Sequence, residues 1–260
     1  ELFISQPGLT TSIRELETEM GIKIFTRTNK GVVTSNEGER FLGYARQVLE
    51  QASLLEGVYK SGTKIKQQFC VSTQHYSFAV NAFVDLIRRF AGEEYDFSLR
   101  ETETYEIIDD VAKMKSEIGI LYLNSFNKDA LMKIIKSKSL TFTELFTAKP
   151  HVFVSTDHPL ADKKSVTMEE LADYPYLSFE QGEHNSFYYS EEIFSTVGRT
   201  KNIRVTDRAT LFNLLIGLNG YTVCSGVIDN ELNGDNITAI PLDEEGNMKI
   251  GYIENKKILH

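Results

Sequence analysis

The stretch SQPGLTTSIRELETEMG, residues 5–21, decides how the front of the chain folds. Ser5 is a favourable N-cap, Pro7 suits the first turn of a helix, and Gly21 is typical of the residue just past a helix end. Between these signals, apolar residues recur at helical spacing on one face: Leu9, Ile13, Leu16 and Met20. The stretch therefore predicts one short amphipathic helix.

The opposite face of this predicted helix is polar. It carries side chains of the kinds that contact base edges and phosphates in DNA: Gln6, Thr10, Thr11 and Arg14. An ordinary surface helix would carry the same pattern. The helix alone therefore leaves both DNA binding and a purely structural role open.

Residues 22–33, IKIFTRTNKGVV, predict a short β-hairpin that turns at residues 29–31. The segment from Met20 to Thr34 contains no acidic residue and three basic ones: Lys23, Arg27 and Lys30. A hairpin with a basic tip beside a helix has the form of a wing. The two elements together therefore favour DNA binding.

A second helix is predicted after the hairpin, because residues 34–37 form a capping box with Thr34 at the N-cap and Glu37 three positions later. Along this helix, apolar residues recur at alternating spacings of four and three, as in a coiled-coil seam: Phe41, Ala45, Val48, Ala52, Leu55 and Tyr59. A helix that packs on its own domain has a similar stripe. Pairing between two chains is our prediction, and packing within one chain is the alternative.

Helix, basic hairpin and long helix together resemble the DNA-binding region of LysR-type transcriptional regulators, over ELFISQPGLTTSIRELETEMGIKIFTRTNKGVVTSNEGERFL, residues 1–42. The family pattern is matched at fixed spacings by Leu2, Ser5, Gln6, Pro7, Leu9, Ile13, Leu16, Glu17, Gly21, Phe25, Arg27, Thr34 and Gly38. The departures are mild, since Gly8, Thr10 and Met20 stand where the family usually has Ala, Ser and Leu.

This resemblance implies a winged helix-turn-helix that binds a double-stranded DNA operator. Side chains of the first predicted helix would face the major groove, and basic residues of the hairpin would lie at the DNA backbone or minor groove. The expected DNA-binding residues are Gln6, Pro7, Thr10, Thr11, Arg14, Arg27 and Lys30. The family motif begins with a further helix ahead of these residues, so we expect the sequence to be N-terminally incomplete.

The net charge of −9 argues at first against a nucleic-acid partner, but the charge is unevenly distributed. Residues 1–60 hold seven basic and eight acidic residues, whereas the remaining two hundred hold 21 and 29. With 41% hydrophobic residues, the 260-residue chain can form one large or two ordinary domains, and it contains no apolar run that would span a bilayer and no evident secretory signal. We expect a cytoplasmic protein without a membrane partner.

Beyond a polar stretch at residues 60–68, strand-like and helix-like segments alternate, which predicts an α/β fold with a largely parallel sheet. The predicted strands lie at 69–73, 97–101, 118–123, 151–156, 174–179, 202–205 and 221–225, and the predicted helices at 76–91, 107–114 and 209–219. The predicted domains are a partial winged helix-turn-helix at 1–34, a linker and dimerisation helix at 35–61, and an effector-binding domain at 62–260.

The resemblance extends to this second part, at VFVSTDHPLADKKSVTMEELADYPYLSF (152–179) and at FNLLIGLNGYTVCSGVI (212–228). It implies a two-lobed effector domain similar to periplasmic solute-binding proteins, with a ligand cleft between the lobes. A solute-binding protein of the same architecture, with an unrelated helical front and no DNA-binding role, is the alternative.

Ligands of open α/β sheets bind beyond the carboxyl ends of the strands, near helix N-termini. Hydroxyl and free backbone N–H groups at these positions suit an anion, so we expect a small anionic metabolite as the effector. The expected ligand-binding residues are Ser72, Thr73, Gln74, His75, Thr102, Tyr122, Glu180 and Gln181, with Thr104 and Asn124 at neighbouring strand ends. The alternative is that Ser72 and Thr73 only cap a helix.

The sequence contains no catalytic or metal-binding motif: its five histidines form no HExxH, and GxSxG, GxGxxG and P-loop patterns are absent. Cys70 and Cys224 lie on separate predicted strands, whereas peroxide-sensing members of the resembled family use two cysteines close together. We therefore expect no enzymatic activity, metal, cofactor or thiol sensing. The expected partners are operator DNA, a small-molecule effector and a second copy through the linker helix, and the resemblance favours a homotetramer.

Overall fold

The computed structural model describes residues 5–29, 31–59, 67–228 and 234–255 of the chain. The chain divides into two compact units, Glu1–Ile65 and Lys66–His260.

The first unit begins with α1, Gln6–Met20, which confirms the predicted helix. Ser5 caps it, because its Oγ accepts a hydrogen bond from the Gly8 N–H at 3.3 Å. The helix ends at Gly21, whose φ of 65° lies in the left-handed region that glycine adopts without a steric penalty. The predicted start and end signals are therefore used as expected.

The predicted hairpin is formed by β1, Phe25–Thr28, and β2, Gly31–Thr34, which pair antiparallel. Lys30, expected at its tip, lies outside the described residues. The long helix α2 follows at Asn36–Tyr59.

The predicted N-cap of α2 was one residue too early. Ser35, not Thr34, caps the helix, since the Ser35 Oγ accepts a hydrogen bond from the Gly38 N–H at 2.9 Å. Thr34 instead pairs with Phe25 at the end of the hairpin. Gly38 is required by close packing, because a Cβ at this position would collide with the Ile24 carbonyl oxygen.

Glu17 ties α1 to the hairpin through its buried carboxylate. One oxygen accepts backbone N–H groups of Ile24 at 2.7 Å and Phe25 at 3.0 Å, and the other accepts the Lys23 ammonium at 3.2 Å. These contacts, with the Phe25 N–H foremost, hold the pKa of Glu17 below its usual value. The ionised Glu17 side chain therefore supplies the hydrogen-bond acceptor for two backbone N–H groups that follow α1.

We predict that Glu17→Ala lowers the thermal stability of the first unit, whereas Glu15→Ala, at an exposed position of the same helix, leaves it nearly unchanged. Because the pKa of Glu17 is lowered, its contribution is present above the ordinary carboxyl pKa of about 4.3 and is lost as the pH falls through the lowered value. Thermal melts at neutral pH and below about pH 4 measure the difference. Equal melting temperatures for the two variants at neutral pH would contradict this role.

The second unit has two lobes, and the first lobe contains a five-stranded sheet in the order β4-β3-β5-β12-β6. Its strands are β3 Gln67–Thr73, β4 Tyr95–Glu101, β5 Ile118–Leu123, β6 Leu140–Ala148 and β12 Met248–Asn255. Its helices are α3 Ser77–Phe90, α4 Thr104–Ala112 and α5 Lys128–Ser137. Strand β3 is parallel to β4 and β5, and β12 is antiparallel to β5 and β6.

The second lobe lies between residues 151 and 241 of the chain. It contains β7 His151–Ser155, β8 Tyr176–Phe179, β9 Asn202–Val205, α6 Arg208–Leu218, β10 Thr222–Cys224 and β11 Ile237–Pro241. Strands β10, β7 and β11 form an antiparallel sheet, and β8 pairs parallel with β9. The chain enters this lobe after β6 and leaves it before β12, so two connections join the lobes.

The α/β class and the two lobes are as predicted, but the sheets are not largely parallel. In the first lobe, β12 returns from the second lobe and inserts antiparallel between β5 and β6, which makes this sheet mixed. In the second lobe, the sheet of β10, β7 and β11 is antiparallel throughout. Four elements, α5, β6, β11 and β12, were not predicted from the sequence.

One hydrophobic core extends across both lobes. It joins Val71 and Tyr122 of the first lobe to Val152 and Val154 of the second, together with Ile250 of the returning strand. All five side chains are buried. Because this core is shared, the two lobes form one compact unit.

Candidate functional site

The side chains expected to contact DNA lie on α1 and on the hairpin. Gln6, Pro7, Thr11 and Arg14 are exposed, Thr10 is half-buried, and Arg27 is exposed on β1. The Thr10 and Thr11 hydroxyls donate to the carbonyl oxygens of Gln6 and Pro7 within the helix. Their methyl groups and remaining acceptor capacity are left for a partner.

The predicted apolar face of α1 is not uniformly covered within the described residues. Ile13 and Leu16 are half-buried, whereas Leu9 and Met20 are exposed. On α2, Phe41 and Ala45 of the predicted seam are half-buried and Val48 and Ala52 are exposed, while the side chains of Leu55 and Tyr59 lie outside the described residues.

In the second unit, a pocket opens between the lobes at the carboxyl end of β3, and we call it the inter-lobe pocket. It is lined by His75, Tyr76, Ser77, Phe153, Phe179, Glu191, Glu192, Arg208, Leu211, Phe212, Thr222, Val223, Cys224, Ser225 and Val227. Its empty volume, including space open to solvent, is about 490 Å³. Of the eight ligand-binding residues expected from the sequence, His75 lines it.

Ser72 and Thr73 are fully buried below this pocket. The Ser72 hydroxyl donates to Asp110 at 2.9 Å, and the Thr73 hydroxyl donates to the Gln74 carbonyl oxygen at 2.8 Å. Neither side chain caps α3, whose N-cap Tyr76 makes no side-chain capping bond. Both hydroxyls therefore form hydrogen bonds within the protein. They do not cap α3, which was the alternative to ligand binding, and they are not free to bind a ligand.

Gln74 is the centre of a buried hydrogen-bond network. Its Nε2 donates to the Thr104 Oγ1 at 2.6 Å, and its Oε1 accepts the Tyr76 hydroxyl at 2.8 Å and the Tyr122 N–H at 3.1 Å. The Thr104 N–H, at the start of α4, donates to the Gln181 Oε1 at 3.0 Å. The network thus runs from β3 through the first turn of α4 to the second lobe.

Glu191 continues this network and binds His75. It accepts the His75 backbone N–H at 2.8 Å, the ring Nδ1 at 3.0 Å and the Gln181 Nε2 at 3.1 Å. The His75 ring also stacks on Phe179, with ring centroids 3.9 Å apart. An internal carboxylate therefore occupies the strand-end position at which the sequence predicts an external anion.

The pKa of His75 is raised above its ordinary value. Burial alone would lower its pKa, but the hydrogen bond and charge of Glu191 and a hydrogen bond to the Thr206 backbone outweigh burial and raise it. With both ring nitrogens hydrogen-bonded, the charged imidazolium is favoured. Its contribution to stability is present below about pH 6.5 and is lost as the pH rises through the raised pKa.

A second ion pair joins the lobes beside this one. The Arg208 Nη2, at the start of α6, lies 3.4 Å from the Glu101 Oε1 at the end of β4. Close by, Gly182 has a φ of 51°, and a Cβ there would collide with the Glu103 carboxyl group. The positive φ favours glycine at this position, whereas the Glu103 carboxyl group is the end of a flexible side chain and can move aside.

Glu192 lines the inter-lobe pocket next to Glu191 and is 3% exposed. Its Oε1 accepts the Phe179 N–H at 2.8 Å. Burial and the neighbouring Glu191 charge raise its pKa to about 8. The side chain is therefore mostly an uncharged carboxylic acid at neutral pH.

The remaining expected ligand residues are dispersed. Thr102 is half-buried and donates its backbone N–H to the Thr73 carbonyl oxygen at 3.0 Å, and Glu180 is exposed. Tyr122 is buried, and burial raises the pKa of its phenol. Asn124 accepts the Phe126 N–H at 2.9 Å at the start of the loop before α5. None of these four residues lines the inter-lobe pocket.

Several residues that line the inter-lobe pocket were not expected from the sequence: Phe179, Glu191, Glu192, Arg208 and Thr222. Phe179 could have been found, since it is the last residue of a predicted strand. Arg208 directly precedes a predicted helix, which is a recognised position for anion contacts. The two adjacent glutamates carry no such signal.

The two cysteines are unsuited to thiol chemistry in this arrangement. Both are free, and burial raises the pKa of each, that of Cys224 to about 12. Both thiols therefore remain protonated at neutral pH.

His184, in the polar loop, stacks on Tyr105 with ring centroids 3.5 Å apart. Within the described residues, no group of three or more His, Cys, Asp or Glu side chains is arranged to hold a metal ion.

Comparison with known families identifies both parts of the chain. Residues 71–256 match the LysR substrate binding domain, and residues 1–39 match the bacterial regulatory helix-turn-helix protein of the lysR family. The chain belongs to the LysR family. This LysR chain is similar to the uncharacterised regulator YnfL of Escherichia coli, with 28% identity over 183 residues that cover 69% of the chain and 58% of YnfL.

A second similar LysR protein is the regulator CysB of Burkholderia cenocepacia, with 28% identity over 69% of the chain and 55% of CysB. The chain thus spans little more than half the length of these curated relatives. Among solved structures, a full-length OxyR variant from Pseudomonas aeruginosa is similar in fold, with a TM-score of 0.62, 18% identity, and coverage of 96% of this chain and 80% of that one. Across the described part of the LysR chain, no helix is both long and apolar enough to span a membrane.

We predict that Gln74→Leu lowers the free energy of unfolding of the second unit by about 3 kcal/mol or more. The substitution conserves volume but leaves the buried Tyr76 hydroxyl, Tyr122 N–H and Thr104 hydroxyl without a partner. Gln68→Leu, at an exposed position of the same strand, is the matched control. Urea unfolding of both variants measures the difference, and equal losses would show that the network is dispensable.

Proposed function

We propose that this LysR chain is a DNA-binding transcriptional regulator controlled by a small-molecule effector. One observation carries the proposal: a helix, hairpin and long helix of the LysR helix-turn-helix type precede a two-lobed domain with a pocket between its lobes. The relatives YnfL and CysB are named as transcriptional regulators, which supports a regulator and not an enzyme. A cytoplasmic location follows from the requirement to reach DNA.

For DNA binding, we propose that α1 is the recognition helix and that the hairpin is the wing. Support comes from the exposure of Gln6, Thr11 and Arg14 on α1 and of Arg27 on β1. Side chains on a recognition helix read base edges, whereas a basic hairpin neutralises phosphates. Pro7, Thr10 and Lys30 complete the proposed interface.

For assembly, we propose that α2 pairs with α2 of a second copy to form a homodimer, and that dimers associate further into a homotetramer. The support is an apolar part of α2 that stays exposed within the described residues. Val48 is 67% exposed and Leu49 is 66% exposed, and Tyr44 is exposed beside them. Apolar side chains exposed along one helix are typical of an interface between chains.

For effector binding, we propose the inter-lobe pocket as the site, with His75 at its edge. Gln74 and Gln181 act there through the network that positions His75 and Glu191. The sequence predicts an anionic effector, but Glu191 already fills the anion position at the His75 N–H. The proposed function therefore requires a small molecule, but it does not require an anion.

The solute-binding alternative is not favoured by any observation of the first unit. A protein that only binds a solute has no use for residues 1–39, which match a DNA-binding motif. The two-lobed fold by itself is common to both functions.

We predict that one substitution in the first unit lowers affinity for all DNA sequences and that another changes the preference among sequences. Arg27→Glu weakens binding to all DNA sequences and reduces the slope of log affinity against log salt by about 1 or more, because it removes a phosphate contact. Thr11→Ala changes the preference for bases at one position by roughly tenfold with little effect on the salt slope. A salt-titrated binding assay of the intact protein, on duplexes selected from a random library, measures both.

Arg89→Glu makes the same charge change at an exposed position of α3 in the second unit and serves as the control. We expect wild-type DNA binding from this variant. The proposed interface fails if Arg27→Glu matches Arg89→Glu in affinity and salt slope.

A further inference from the structure

One acidic side chain at the inter-lobe pocket, Glu192, has no ion-pair partner among the described residues. The two basic side chains of the pocket each have an acidic partner, since His75 pairs with Glu191 and Arg208 with Glu101. Glu192 is a third acid, and no ion pair in the described part of the chain includes it. One buried carboxyl group therefore lies at the pocket without a countercharge.

An anion would be poorly accommodated here. The His75 N–H and ring nitrogen, which would bind an external carboxylate, are already bonded to Glu191. A ligand carboxylate at the His75 N–H would have to displace Glu191, and one beside Glu192 would lie close to the Glu191 charge, which repels it. A cationic group beside Glu192 is attracted by the same charge and can form an ion pair with Glu192 once that acid loses its proton.

The other residues that line the pocket indicate which kind of group the rest of the ligand carries. Phe153, Phe179 and Phe212 line it together with Leu211 and Val223, so an apolar body fits there. The faces of aromatic rings also attract cations.

Thr222 is a second and independent sign of a missing ligand. It lines the pocket, is 4% exposed, and its hydroxyl has no hydrogen-bond partner among the described residues. Buried hydroxyl groups without a partner are uncommon, and a polar group of a ligand, the N–H of an ammonium included, would satisfy this one.

We propose that the inter-lobe pocket binds a small molecule with a protonated amine beside Glu192 and an apolar body against Phe153, Phe179 and Leu211. This inference rests on the proposed function for its regulatory meaning, because the bound amine is the effector. Glu192 loses its proton when the ammonium group binds, so that a charged pair replaces a neutral acid. The proton passes to the solvent.

The other groups around Glu192 do not supply this charge. Glu191 and His75 neutralise each other, and the surrounding phenols stay protonated because burial raises the pKa of each: Tyr76, Tyr122 and Tyr176. Arg199 lies over the Tyr176 ring and donates to the Tyr221 hydroxyl. The Cys224 thiol, also at the pocket, is uncharged.

The test uses three probes that share one apolar body: 2-phenylethylamine, 2-phenylethanol and 3-phenylpropanoate. Isothermal titration calorimetry with the intact protein at neutral pH compares their affinities. We expect the amine to bind about tenfold or more tightly than the alcohol and the acid. Tighter binding of the acid, through the Arg208 Nη1 that has no partner among the described residues, would overturn the proposal. Equal affinities for all three would overturn it as well.

A substitution locates the amine. Glu192→Gln keeps the size of the side chain and its acceptor for the Phe179 N–H, and we expect it to remove most of the preference for the amine over the alcohol. Glu183→Gln, at an exposed position of the same segment, is the matched control and should retain the preference. An unchanged preference in a folded Glu192→Gln protein would place the amine elsewhere and overturn the proposal.

The wild-type protein provides a test that does not depend on the folding of a variant. Below pH 8 the amine must displace the Glu192 proton, so its affinity relative to the alcohol should rise by about tenfold per pH unit between pH 6 and 7.5. Calorimetry in buffers of different ionisation enthalpy should detect the release of about one proton with the amine and none with the alcohol. A pH-independent preference without proton release would contradict the proposal.

Failure of the amine inference and failure of the proposed function give different results. If the amine binds as described but leaves DNA affinity unchanged, the inference stands and effector control through this pocket does not. If DNA binding follows the proposed interface while the amine shows no preference, the proposed function stands and the inference does not.

Discussion

The contact between Glu191 and His75 is the interaction on which the effector-binding domain depends. The carboxylate from the second lobe takes up both the backbone and the ring N–H of His75 at the end of the first strand of the domain. It thereby satisfies buried donors, fixes the imidazolium against Phe179, and connects to the Gln74 network through Gln181. Because Glu192 follows directly in the chain, a ligand beside Glu192 acts next to the contact that joins the lobes. Binding can therefore bias how the lobes are held together.

Most of the first unit could be predicted from the sequence because its signals are local. Ser5, Pro7 and Gly21 define α1, and a basic hairpin and a capped helix follow within thirty residues. The cap of α2 was misplaced by one residue because Thr34 and Ser35 are both good caps. The choice was decided by pairing of Thr34 in the hairpin. The position of β12 could not be predicted, since its partners lie a hundred or more residues earlier in the chain.

The candidate site was predicted only in part. The strand-end rule located His75 and identified Gln74 and Gln181, but it treated the buried side chains of Ser72 and Thr73 as free groups. Glu191 and Glu192 could not be found in this way, because they lie in a long connection between strands β8 and β9 and adjacent acids are common on protein surfaces. The structure changes the expected chemistry of the site: the protein supplies its own carboxylate to the anion position, and an acid without a countercharge remains.

The contact between Glu191 and His75 that joins the two lobes is tested most directly by an NMR titration of the His75 ring in the wild-type protein and in Glu191→Gln. In the wild type, Glu191 outweighs burial and the pKa of His75 lies above its ordinary value of about 6.5. In Glu191→Gln the charge is gone and burial prevails, so the pKa should fall below that value. His158, whose pKa is lowered by burial, should titrate identically in both proteins. An identical His75 titration in the two proteins would contradict the contact between Glu191 and His75.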